Sequence, residues 1–172
     1  MNRIFNKKIV IIFTIIIIII GGYSLFKLIY KETGTLYSLS ISKYYNDFSY
    51  DIMFVNRNNP GKEQENPQIY LQAETKSKEI LDYLNKAHLK ETGKVINTNT
   101  TSKINHIIFN QSVKKYNDKY YSALTIAFLD DSHIEINIYY NDIKNNTGYS
   151  SSKYYKINNK IDYDYIESIL NK

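Results

Sequence analysis

The chain has 172 residues and no cysteine, which excludes disulfides, zinc–thiolate sites, catalytic thiols and the lipidated cysteine of a bacterial lipoprotein. Its formal charge of +5 lies mainly at the start, because residues 1–32 hold five of the 22 basic residues and one of the 17 acidic residues. The rest is nearly neutral, with 17 basic against 16 acidic residues, which argues against nucleic acid as a partner.

Residues 9–29, IVIIFTIIIIIIGGYSLFKLI, form an apolar run of 21 residues. As a helix rising about 1.5 Å per residue the run spans about 31 Å, close to the hydrocarbon thickness of a bilayer. Fifteen positions are Ile, Val, Leu or Phe, which together favour insertion by roughly 5–9 kcal/mol. The run therefore predicts a transmembrane helix that binds membrane lipid.

Basic residues lie on both sides of this run and predict its orientation. They are Arg3, Lys7 and Lys8 before it, and Lys27 and Lys31 at its end or beyond. The three at the short N-terminal flank, residues 1–8, predict a cytoplasmic N-terminus, a single-pass signal anchor and an extracellular C-terminal part. The two on the far side weaken that asymmetry slightly.

A cleaved signal peptide is the alternative to a retained anchor. Residues 9–20 have the length of a signal-peptide core, and Gly22 and Ser24 offer small residues for cleavage, so the protein would be secreted after a cut near Ser24. Apolarity resumes at Leu25 and Phe26, which favours the anchor. Both alternatives export the remainder of the chain.

Residues 30–35 predict a juxtamembrane stalk before one domain over residues 36–172. Residues 36–42 and 48–55 alternate apolar and polar side chains, which predicts two strands of a hairpin with its turn at residues 45–47. Residues 56–67 combine Asn, Pro, Gly and charge without periodicity and predict a loop.

The middle of the chain predicts a short strand at residues 69–73 and then a helix. Thr75 or Ser77 is expected to cap this helix, which is expected to close at Gly93. Its apolar stripe is Ile80, Leu81, Leu84, Ala87 and His88. A loop at 94–103, a strand at 104–109 and a polar turn at 111–119 are expected to follow.

The clearest pattern predicts a hairpin of strands 121–129 and 133–140 with its turn at 130–132. Ile134, Ile136, Ile138 and Tyr140 share one face of the second strand, and His133, Glu135, Asn137 and Tyr139 share the other. A strand at 154–157 and a terminal helix follow. Asp162 is expected to cap that helix, which presents Tyr163, Ile166, Ile169 and Leu170 to the core.

These elements predict an α+β fold: an N-terminal transmembrane helix followed by a mainly antiparallel sheet with two helices packed on one face. The order of anchor, strands, helix, hairpin, strand and terminal helix resembles small membrane-anchored or exported domains of unknown function from Gram-positive bacteria. The resemblance covers most of the chain, implies an extracytoplasmic domain and transfers no site residue.

Candidate metal ligands are few. The histidines are His88, His106 and His133, and the only local group of ligand types is Asp131, His133 and Glu135. A metal site needs three or four converging ligands, so we interpret this group as a solvated turn. We name no metal ligand and expect no cofactor.

Catalytic motifs are missing as well. The sequence has no Gly-x-Ser-x-Gly elbow, no Gly-rich phosphate loop and no His-Glu-x-x-His pattern. We therefore name no catalytic residue and expect no enzymatic activity.

Tyrosine pairs recur at residues 44–45, 120–121, 139–140 and 154–155. In a strand, each pair sends one ring into the core and one out, so core packing explains the pairs, and a sugar-stacking surface is the alternative. The leading hypothesis is a non-enzymatic, membrane-tethered interaction module at the outer face of a bacterial membrane, with a protein partner in the envelope. The alternatives are an immunity-type protein against a secreted toxin and a cell-wall-associated glycan-binding protein or enzyme.

Overall fold

The computed structural model describes residues 2–41, 49–57, 67–93 and 103–172; in the first helix it describes the side chains of Ile9 and of residues 11–26. The chain divides into two compact units, Met1–Glu32 and Thr33–Lys172.

The first unit contains helix α1, Asn2–Ile29. Its apolar side chains lie on all sides of the helix, and their exposed fractions run from 40% at Ile9 to 67% at Tyr23. No helix in the part of the chain that the structure describes is long and apolar enough to cross a membrane. The predicted transmembrane span at residues 9–29 stays a prediction.

The second unit is built on one eight-stranded sheet in which every neighbouring pair is antiparallel. The strands are β1 Thr33–Gly34, β2 Ile52–Arg57, β3 Gln68–Leu71, β4 Leu89–Thr92, β5 Ile104–Asn110, β6 Tyr120–Phe128, β7 His133–Asp142 and β8 Thr147–Ile157. Their order across the sheet is β1-β4-β8-β7-β6-β5-β2-β3. The mainly antiparallel α+β architecture is confirmed.

One side of this sheet carries the core. Alternate residues of the central strands, such as Leu124, Ile126 and Phe128, are fully buried because the side chains of a strand point in turn to its two faces. Helices α2, Glu74–Asn85, and α3, Tyr163–Leu170, contribute their apolar residues to the same cluster. The opposite side of the sheet is called the outer face below.

Several predictions are confirmed. The hairpin of β6 and β7 has its buried face at Ile134, Ile136 and Ile138, and the strand at 104–109 is β5 with one residue more. The carboxylate of Asp162 accepts a hydrogen bond from the backbone N–H of Tyr165 at 2.9 Å and so caps α3. The polar turn at 111–119 contains a short 3₁₀ turn, Lys114–Tyr116.

The predicted strand at 36–42 is wrong, because Tyr37–Ile41 form a helical turn of π type. The backbone N–H of Thr35 donates to Ser38 Oγ at 2.9 Å, and the backbone N–H of Ser38 donates to Thr35 Oγ1 at 3.3 Å. This reciprocal pair satisfies two amides that open a helical turn. The predicted hairpin fails with that strand, since β2 pairs with β3 and β5 instead.

The predicted bounds of the helix after β3 are also wrong. Helix α2 begins at Glu74, one residue before Thr75, and Ser77 lies inside it, so neither side chain caps it. It ends at Asn85, because Leu89 is drawn into the sheet opposite Ile157 and buried to 1% exposure. Ala87 and His88 therefore lie in the connection, and Gly93 follows the unpredicted strand β4.

Further strand boundaries differ from the predictions, by one or two residues in β3, β6 and β7 and by more in β8. Strand β2 continues through Arg57, which pairs with Ile104, although a loop was expected from residue 56. Strand β8 begins at Thr147, seven residues before the predicted strand at 154, and β3 ends at Leu71. The predicted turn at 45–47 and most of the predicted loops at 56–67 and 94–103 lie outside the described residues.

Candidate binding face

A shallow groove of about 300 Å³ lies on the sheet between β6, β7 and β8. Its lining on the outer face consists of Ala123, Thr125, Asn137, Tyr139, Ser150 and Ser152. These six residues are called the tyrosine–serine groove. They come from three neighbouring strands of a rigid antiparallel ladder, so their relative positions are set by backbone hydrogen bonds.

The register explains why a depression forms here. One row across the strands is Ala123, Tyr139 and Ser150, and the next row is Thr125, Asn137 and Ser152. Tyr139 is thus flanked by two small side chains, and it stands 41% exposed above them. Small residues beside a large ring leave open space over the sheet.

Two tyrosines mark the ends of this groove. The ring of Tyr121 packs on that of Tyr139 with centroids 5.9 Å apart. At the other end Tyr154 lies opposite Glu135. Tyr139 and Glu135 are four positions apart on β7, about 14 Å at roughly 3.4 Å per residue, which gives the groove room for several contacts along its length.

The Glu135 carboxylate at the end of the groove is held by hydrogen bonds. Ser152 Oγ donates to Glu135 Oε1 at 2.7 Å. Burial, then the charge of Glu135 and the hydrogen bond to it, raises the pKa of Tyr154, while burial and the neighbouring Tyr139 raise the pKa of Tyr121. A raised pKa favours the neutral, hydrogen-bond-donating form of both hydroxyls.

The groove therefore offers ring faces, hydroxyl groups and one amide, and none of its six residues is charged. Tyr, Ser and Asn are the residues that dominate antibody paratopes, where tyrosine supplies rigid amphipathic contact area and Ser and Asn supply adaptable hydrogen bonds. The Glu135 carboxylate lies at the edge of the groove, one row beyond Asn137 on the same face of β7. The groove thus presents contact area and neutral hydrogen-bonding groups on one surface.

Two of the three residues considered as a metal-binding group, His133 and Glu135, make hydrogen bonds to residues outside that group. His133 Nδ1 lies 2.8 and 3.0 Å from the two carboxylate oxygens of Asp130. Glu135 is bound by Ser152. In residues 2–41, 49–57, 67–93 and 103–172, no three His, Asp or Glu side chains lie together as metal ligands.

The other two histidines lie elsewhere. His88 is exposed between α2 and β4, where its backbone N–H donates to Asn158 Oδ1 at 2.9 Å. His106 lies on β5 opposite Ala127, and burial lowers its pKa, which favours the neutral ring. Neither contributes to the groove.

The tyrosine pairs at 139–140 and 154–155 send one ring to the core as predicted, whereas neither ring of the pair at 120–121 belongs to the core cluster. Tyr121, Tyr139 and Tyr154 lie on the outer face, whereas Tyr155 is 1% exposed in the core. The pair at 44–45 lies outside the described residues. Sequence reasoning missed Ser150 and Ser152, which lie four and two residues before Tyr154 on the same face of β8.

The comparison with known proteins gives no family and no related structure. No protein-family model, no curated protein and no solved structure matches the chain.

Proposed function

We propose that this chain is a non-enzymatic binding module tethered to the outer face of a bacterial membrane. In this proposal α1 is the tether, and the tyrosine–serine groove binds a protein partner in the cell envelope. The observation that carries the proposal is the groove itself, an uncharged recessed surface of Tyr, Ser, Thr and Asn on a rigid sheet.

The tether is supported by the sequence of α1 and by its exposed apolar side chains. Ile17, Ile18 and Ile19 are each more than 60% exposed, which is costly in water and favourable in lipid. Val10 and residues 27–29 complete the apolar run in sequence, although their side chains lie outside those described. Arg3, Lys7 and Lys8 support a cytoplasmic N-terminus.

The groove is supported as a binding site by its geometry. Tyr139 lies on β7, the middle strand of the three, and its ring packs against that of Tyr121. Because this contact already restricts the side chain, little conformational entropy is lost when a partner covers it. Asn137, Thr125 and Ser150 supply donors and acceptors around the ring. The aromatic ring of Tyr139, surrounded by neutral polar groups, resembles the centre of a protein interface.

A glycan is the second candidate ligand, and the same tyrosine favours it. An exposed ring beside an amide and several hydroxyls can contact a sugar face and hydrogen-bond its hydroxyl groups. The groove thus has two candidate occupants, which one crosslinking experiment separates by the nature of the trapped product.

The test uses Ser150→Cys in the full chain, which has no cysteine of its own. A membrane-impermeant maleimide photocrosslinker is attached in unbroken cells and activated by light. We expect a discrete larger product that contains a second protein, and we expect Tyr139→Ala to reduce its yield. Ser168→Cys on the exposed side of α3 is the matched control and should trap little.

Equal products from Ser150→Cys and Ser168→Cys would overturn the groove as the binding site. A product from Ser150→Cys that is shortened by glycan-degrading enzymes but contains no second protein would replace the protein partner with the glycan.

A further inference from the structure

The sheet ends on one side at β3, and this edge strand carries two strongly exposed aliphatic side chains. Ile69 is 57% exposed and Leu71 is 71% exposed. Strand β3 pairs with β2 on one side, and no strand in the described part of the chain pairs with its other side. An exposed apolar edge is a template for pairing with another chain.

Three more apolar residues continue this surface on the outer face. Ile69 lies opposite Phe54, Leu71 lies opposite Ile52, and Phe54 lies opposite Ile108 on the next strand. These five residues form a contiguous set across β3, β2 and β5, which is called the apolar edge patch. It adjoins the tyrosine–serine groove, because Ile108 lies opposite Thr125, so the outer face has two chemically different regions side by side.

The two edges of the sheet differ in how they are protected. Strand β1, at the opposite edge, is only two residues long and offers little backbone for pairing. Strand β3 has four residues, Gln-Ile-Tyr-Leu, without a charged side chain. Edge strands commonly avoid pairing by carrying charges, so β3 lacks the usual protection.

We propose that the apolar edge patch is where a second copy of this chain docks, by antiparallel pairing of β3 with β3. Pairing about a two-fold axis at Tyr70 places Ile69 opposite Leu71 of the second copy, and Leu71 opposite its Ile69. Both contacts lie on the outer face, where the apolar edge patches of the two copies meet.

A second copy fits this edge better than a lipid surface or an unrelated protein. The register opposes no like charges, because β3 carries none. A lipid surface would be favoured by free basic residues, yet Arg57 at the end of β2 is bound to Glu167. The two-fold arrangement uses the same patch on both copies, so it closes as a dimer and leaves no open β3 edge.

The test uses the full chain in its own membranes with Tyr70→Cys as the sole cysteine. Opposed residues in a strand pair have Cα atoms about 4.5–5.5 Å apart, within disulfide reach. We expect mild oxidation to give a disulfide-linked dimer, and adding Leu71→Lys to lower its yield by about tenfold. Ile143→Lys, at a 41% exposed isoleucine in the β7–β8 turn, is the matched control and should leave the yield unchanged.

A second measurement avoids any change at Tyr70. Light scattering of the full chain in detergent micelles should give twice the chain mass for the native protein and for Ile143→Lys, and the single chain mass for Leu71→Lys. A native monomer in both experiments, or dimers indifferent to Leu71→Lys, would overturn the proposal. A crosslinked product containing another protein would replace the second copy as occupant.

Discussion

At the scale of single residues, Arg57 makes a polar contact with a residue far along the chain. Its Nε donates to Glu167 Oε1 at 2.8 Å and its Nη2 donates to Glu167 Oε2 at 2.8 Å, a two-pronged pair that ties β2 to α3. The hydrogen bonds to Glu167 raise the pKa of Arg57 and keep it charged. The sequence placed Arg57 in a loop, since a partner 110 residues away leaves no local signal.

We expect Glu167→Gln to lower the free energy of unfolding by about 1–2 kcal/mol, because the half-buried guanidinium loses its charged acceptor. Asp82→Asn is the matched control, since it neutralises a carboxylate in the exposed pair with Lys78 and should cost less than about 0.5 kcal/mol. Urea unfolding in detergent micelles, followed by tyrosine fluorescence, gives both values. Equal costs for the two variants would contradict the assigned role of the Arg57–Glu167 pair.

The sequence predicted the β7 side of the candidate groove but not its β8 side. Asn137 and Tyr139 were predicted to share an outward face of a strand with Glu135, and they do. Ser150 and Ser152 were not, because the first half of β8 is mostly exposed on both faces and so carries no apolar alternation. Only backbone pairing with β7 makes that segment a strand.

At the scale of elements, patterns predicted structure where one face was fully buried. Strand β7 alternates Ile with polar residues and was predicted correctly, because its buried residues recur every second position. Residues 36–41 have Leu36, Leu39 and Ile41 buried, a spacing that fits a strand and a helical turn about equally. The reciprocal hydrogen bonds between Thr35 and Ser38 stabilise the helical turn rather than the strand.

The cap of α3 gives a prediction at this scale. We expect Asp162→Ala to cost about 1 kcal/mol of stability, because the N–H of Tyr165 loses its acceptor, whereas Asp162→Asn should cost a few tenths at most. Hydrogen exchange at the Tyr165 amide should speed up in the alanine variant only. Equal exchange in both variants would mean that the side chain of Asp162 does not hold this end of the helix.

At the scale of the whole molecule, the fold class followed from the sequence but the strand order did not. A two-residue period indicated strands and a 3.6-residue period indicated helices, and the core cluster contains residues from both kinds of element. The place of β4 between β1 and β8 depends on the pairing of Leu89 with Ile157, 68 residues later. Strand β4 has one buried residue, which is too few to give an apolar pattern in the sequence. Sheet order is set by such distant pairs, which local patterns do not encode.

In the proposed function, α1 holds the chain at the membrane, and the second unit presents the tyrosine–serine groove outside the cytoplasm. The groove can meet an envelope partner only if the sheet lies beyond the membrane, so topology is the claim on which the proposal depends most. The absence of cysteine makes a direct test possible, since one introduced thiol reports one position.

That test is the labelling of unbroken bacterial cells with a membrane-impermeant maleimide. We expect Ser168→Cys to be labelled before lysis and Asn6→Cys, in the N-terminal flank, only after lysis, with both variants recovered at full length in the membrane fraction. Protection of Ser168→Cys in unbroken cells, or labelling of Asn6→Cys there, would contradict the account.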